Sequence, residues 1–140
     1  MNSKDATYTG FEFEIEGNPA IAIINADLKN LPGREDYRYS VFVTLLPDVV
    51  NEYGHPVEDE YDYLNNIEKS IIDYLEAETR TVHVGHTTLY RKREVIFYTK
   101  DDVAVQSFLE QFLPSVERAY DFELEEDPEW ENVSAFYELL

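Results

Sequence analysis

Cysteine is absent from this 140-residue chain, and bases are scarce, with 11 Lys and Arg against 30 Asp and Glu. Without thiols there is no disulfide, no thiolate metal ligand and no cysteine nucleophile. The formal net charge of −19 repels nucleic acid and anionic lipid, so the expectation is no direct nucleic-acid binding and no membrane. No apolar run approaches the ~18 residues of a membrane span. Met1-Asn2-Ser3-Lys4-Asp5 lacks the apolar stretch of a secretory leader, which points to the cytoplasm. Glycine is sparse too. The five glycines form neither a phosphate loop nor a dinucleotide fingerprint, and no serine sits in a nucleophile elbow. These gaps argue against an enzyme and imply no cofactor.

What is present is enough for a core. Hydrophobic residues make up 44% and aromatics 14%, and the length suits a single domain over 1–140, with 1–9 as a flexible lead-in. Phe11-Glu12-Phe13-Glu14-Ile15 alternates like a half-buried strand. Gly17-Asn18-Pro19 is a turn, and 20–26 returns as the second arm of a hairpin. The alternation over 37–46 predicts a long strand, and the Pro- and Gly-containing 47–56 a loop. From 60 to about 79 the period becomes helical, with Leu64, Ile67, Ile71, Tyr74 and Leu75 on one stripe and Glu68 off it.

Segments 80–89 and 94–98 read as a hairpin around Arg91-Lys92-Arg93, the only dense basic cluster. Asp101 or Asp102 caps a helix carrying Val105, Phe108, Leu109 and Phe112, and 119–125 alternates again. Asp127 as N-cap and Pro128 at the first helical position open a last helix with Trp130, Val133, Phe136, Tyr137 and Leu140 on its stripe. Trp130 is expected to pack that helix onto the sheet. The order from 37 to 125 is β-α-β-β-α-β, so the fold class is α+β. The expectation is a ferredoxin-like split β-α-β sandwich with an added N-terminal β-hairpin and a C-terminal helix. In it, 119–125 lies beside 37–46, then 94–99, then 80–89.

Three segments together resemble a known family. They are Val84-Gly85-His86-Thr87 followed by Arg93-Glu94-Val95-Ile96-Phe97-Tyr98; Asp127-Pro128-Glu129-Trp130 with Phe136-Tyr137; and Arg34-Glu35-Asp36-Tyr37 leading into the long strand. In this spacing they resemble the bacterial domain-of-unknown-function family 695, over roughly residues 10–140. Family hairpins usually carry Gly at the turn, where this chain has Tyr90-Arg91-Lys92. The resemblance implies an architecture similar to the acidic proteins that inhibit ribonuclease E, and it carries no activity or site residue with it.

The candidate site residues are acids in two segments. Glu58, Asp59 and Glu60 lie within the 52–62 stretch. Asp121, Glu123, Glu125, Glu126 and Asp127 lie within 121–131, where seven of eleven residues are carboxylates. Like charges this dense repel one another, and a partner with a basic surface relieves that cost. The functional expectation is therefore a non-catalytic protein-binding domain, a regulator or immunity-type inhibitor of a basic protein. One alternative is a small carboxylate-based or metal-dependent hydrolase around His55, which neighbours Glu58, Asp59 and Glu60, or within 121–131. Another is a structural module that forms a homo-oligomer through the sheet face or the N-terminal hairpin. His83 and His86, three apart in a strand, are expected on opposite faces, so no metal is assigned.

Overall fold

The computed structural model describes residues 2–140. Six strands form one sheet: β1 (Tyr8–Ile15), β2 (Asn18–Asn25), β3 (Tyr39–Leu46), β4 (Thr81–Leu89), β5 (Lys92–Thr99) and β6 (Ala119–Glu126). Their spatial order is β1-β2-β4-β5-β3-β6, and every neighbouring pair is antiparallel. Helix α1 (Glu58–Glu78) links β3 to β4, α2 (Asp102–Phe112) links β5 to β6, and the short α3 (Ser134–Glu138) ends the chain. The β4-β5-β3-β6 portion is the split β-α-β arrangement expected from the element order. The N-terminal hairpin joins it through β2, which pairs with β4. Part of the expected lead-in is placed: Ser3 donates from its backbone N–H and its hydroxyl to the Glu76 carboxylate, at 2.9 and 2.8 Å.

Burial explains the layering. Strand alternation sends Val41, Val43, Leu45, Val95 and Phe97 to one face, where they meet Leu64, Ile67, Ile71 and Leu75 of α1 and Val105 and Leu109 of α2. Ala22, Ile24, Val82, Val84, Ile96 and Tyr98 point the other way and are covered by Leu28, Trp130, Val133 and Tyr137. A strand with both faces covered shows no polar alternation, as the run Val95-Ile96-Phe97-Tyr98 illustrates. Tyr74, expected on the α1 stripe, lies at its margin, 44% exposed and stacked on Phe108 at 4.0 Å.

Three local expectations need correction. The last helix does not begin at Pro128. Trp130 takes a left-handed backbone (φ 58°), a 3-10 turn follows over Glu131–Val133, and α3 starts only at Ser134. Asp127 still caps, one turn later than expected, by accepting the N–H groups of Glu131 and Asn132 at 3.0 and 2.9 Å. The basic tip is also smaller than it looks. Arg93 is fully buried, because it is in phase with Val95 and Phe97 and points under α1. The Gly-less turn closes with Arg91 at φ 59°, and its N–H donates to the Gly54 carbonyl at 2.8 Å.

Trp130 is a core residue. Its ring stacks on Tyr98 at 4.0 Å, a geometry that contributes about 0.5–1.5 kcal/mol beyond the buried area. Its indole N–H reaches the carbonyls of Arg34 and Tyr37, both at 3.0 Å. Trp130 therefore ties the loop before β3 to the C-terminal segment.

Candidate functional site

Of the eight candidate acids, the fold gathers three into one place. Thr44, Phe42 and Ser40 of β3 pair with Asp121, Glu123 and Glu125 of β6. Strand alternation therefore puts these three carboxylates on the face that carries α3. α3 covers the other end of that face. Over β3 and β6 the sheet is left open as a cleft of about 280 Å³, lined by Ser40, Phe42, Thr44, Glu94, Asp121, Glu123, Glu125 and Asn132, with Phe122 at its edge. The Glu125 carboxylate accepts a hydrogen bond from the Asn132 amide at 3.2 Å. Asp121 and Glu123 have no hydrogen-bond or ion-pair partner among the described residues. Glu94 has Lys92 at 3.9 Å.

The other five acids go elsewhere. Glu58 and Asp59 are exposed in the first turn of α1, where they favour the positive end of the helix dipole and do not line the cleft. Glu126 points to the opposite face of β6 and pairs with Arg38 at 3.5 Å. Asp127 is buried, and its second oxygen accepts the Tyr98 hydroxyl at 2.6 Å. Burial first, then this carboxylate, pushes the Tyr98 phenol well above its usual range.

Glu60 is buried as well. Arg118, one residue before β6, donates to it from Nε and Nη2 at 2.8 and 2.6 Å, and the Asp48 N–H adds a third bond at 2.8 Å. The guanidinium bonds hold the carboxyl below its ordinary value of 4.5, against the opposing effect of burial. Between the depressed and ordinary values the unfolded chain binds more protons than the folded one. Stability conferred by Glu60 is thus present above pH 4.5 and is lost as pH falls through the depressed value. Urea unfolding from pH 5 down to pH 2.5 should show a flatter pH slope for Glu60→Gln than for the parent.

The histidines depart furthest from expectation. His83 and His86 lie on the same face, because β4 carries a bulge. His83 pairs with Phe97 and Gly85 with the next residue, Ile96, so Val84 and Gly85 together oppose one residue of β5. The extra residue reverses the alternation, and His86 comes opposite Val95, facing α1. Glu68 of α1 waits there, 5% exposed. His83 Nε2 lies 2.8 Å from its Oε2, and His86 Nδ1 2.8 Å from its Oε1. Burial raises the Glu68 carboxyl, and the hydrogen bonds from both histidines outweigh it, leaving the group well below the usual carboxylate range.

Burial and the nearby Glu76 and Glu68 charges push the Tyr8 phenol well above its usual range. Its hydroxyl lies 2.7 Å from His83 Nδ1, so His83 is held between Tyr8 and Glu68. Arg93 completes the cluster, with Nη1 3.6 Å from Glu68 and 2.6 Å from the Asn65 side-chain oxygen. The ionised carboxylate already has a guanidinium as counter-ion. Among the described residues, no group of three or more His, Asp and Glu side chains has the geometry to hold a metal ion. His55 joins none of its neighbouring acids. Its Nε2 bonds to the Pro19 carbonyl at 2.8 Å, which locks the 47–56 loop to β2.

The match to known sequences covers the elements just described, from β1 to α3: a family of unknown function, DUF695, matches residues 8–137. The chain belongs to the DUF695 family. No curated protein and no solved structure matches it. Among the described residues of this DUF695 chain, no helix is long and apolar enough to cross a membrane.

Sequence reasoning missed the Glu68 cluster, although a signal existed. Positions 64, 68, 71 and 75 step by four, three and four, so Glu68 falls on the apolar stripe, and Arg93 occupies an inward position of β5. A buried acid and a buried base on facing elements predict an ion pair. The bulge that turns His86 toward them has only Gly85 to announce it.

Proposed function

We propose that this DUF695 protein is a cytoplasmic, non-catalytic binding domain that presents an acidic sheet face to a protein with a basic surface. The observation that carries this reading is the open end of the sheet over β3 and β6. There Asp121, Glu123 and Glu125 line a cleft, and among the described residues none of the three has an ion-pair partner, the nearby Lys92 being paired with Glu94. Carboxylates held together without counter-ions repel one another at a cost to stability, and a basic partner relieves it. Charge of this kind also speeds encounter and makes binding sensitive to salt.

The test is charge removal at matched net charge. Asp121→Asn/Glu123→Gln/Glu125→Gln should abolish the salt-sensitive retention of basic proteins on the immobilised domain. Glu12→Gln/Glu14→Gln/Glu16→Gln, which removes three exposed acids from the far end of the sheet, should leave retention intact. Equal loss in both variants would show that overall acidity, not this face, holds the partner.

A further inference from the structure

The acidic face adjoins an open edge, and the two share one phase. β6 is the last strand of the sheet, with β3 on one side only. Its pairing runs without a break from Tyr39↔Glu126 to Leu46↔Ala119, and no proline interrupts it. A bulge and a proline are two of the devices that blunt edge strands, and β6 has neither. The bond from Asp127 N–H to the Arg38 carbonyl at 2.6 Å sets the phase of the ladder. In antiparallel pairing the hydrogen-bonded pairs alternate, so Glu125, Glu123 and Asp121 turn their backbone groups toward β3. Tyr120, Phe122, Leu124 and Glu126 are left to direct theirs outward.

We propose that the basic partner engages this domain through an extended segment that adds to β6 as a seventh strand, with Lys or Arg at alternate positions. The inference rests on the acidic-face reading and specifies the partner's form. An added strand brings its side chains to about 4.5–5.5 Å, Cβ to Cβ, from those directly opposite. Residues on the cleft side then meet Asp121, Glu123 and Glu125, and bases there neutralise all three. Residues of the opposite phase lie beside Phe122 and Leu124, which pack against the α1–α2 core, so apolar β-formers fit. A second copy of this chain is a poor occupant. Antiparallel pairing of β6 with itself sets carboxylate against carboxylate, which is destabilising. The same acids that admit a basic strand therefore keep the edge from pairing with its own kind.

Two synthetic peptides of one composition test this at low salt: one alternates Lys and Val, and the other carries its lysines in a single block. The alternating peptide should bind about tenfold tighter or better. It should also slow amide exchange at Tyr120, Phe122, Leu124 and Glu126. Equal binding of both peptides, with those four amides unprotected, overturns strand addition and leaves the acidic-face reading standing. No binding of either overturns both.

Discussion

Gly85→Ala should destabilise the protein by about 3–5 kcal/mol, a large share of the ~5–15 kcal/mol that holds a domain together. Gly85 has φ 148°, a conformation that L side chains rarely adopt. A Cβ there would run into the Ile23 carbonyl oxygen of β2, and would lie 2.9 Å from the Ile23 carbonyl carbon and 3.0 Å from Ile24 Cα. These are backbone atoms of a paired strand, so they cannot step aside as a side-chain end would. Relief requires the bulge to straighten or β2 to separate from β4. Straightening would return His86 to the other face and remove its bond to Glu68. Urea unfolding gives the loss, and the His86 ring resonances report whether its contact survives. A cost within about 1 kcal/mol of the parent would mean that the bulge adapts freely, contrary to the geometry.

Glu68→Leu should cost about 3–5 kcal/mol. The reason is what stays behind. Arg93 is fully buried, and its Nε and Nη2 have no hydrogen-bond partner among the described residues. Its charge faces Glu68, the Asn65 oxygen and the Tyr61 ring, 5.3 Å away. Burial lowers the guanidinium pKa, and Glu68 opposes that effect. Without Glu68 the cation is uncompensated, and the His83 and His86 donors lose their acceptor. Arg93→Met in the same chain should recover part of the loss. A double-mutant cycle should give a coupling of about 0.5–3 kcal/mol. Simple additivity would mean that Arg93 and Glu68 do not stabilise each other.

These two effects lie where the amino-acid order is least informative. The strands, α1 and α2 were legible because their periods of two and 3.6 follow from backbone geometry. The spatial order β4-β5-β3-β6 was legible because split β-α-β connections leave few alternatives. The edge taken by the N-terminal hairpin was not legible. It depends on β2 lying against the bulged strand, where Ile24 pairs with Gly85. The His83–His86 relation failed for a physical reason: one inserted residue inverts every later side chain of a strand. The same dependence scattered the eight candidate acids, since Glu60 and Asp127 find internal partners in Arg118 and Tyr98, far away in sequence.

The acidity, the lack of thiol chemistry and the α+β element order belong to the sequence alone, because charge, residue type and hydrophobic period are properties of the chain. Only the tertiary structure decided where the acidity acts. It drew Glu60 and Asp127 inward, faced Glu126 toward Arg38, and left Asp121, Glu123 and Glu125 together on an open strand beyond the reach of α3. Side chains are sorted by which neighbours the fold supplies, and those neighbours come from residues tens of positions apart.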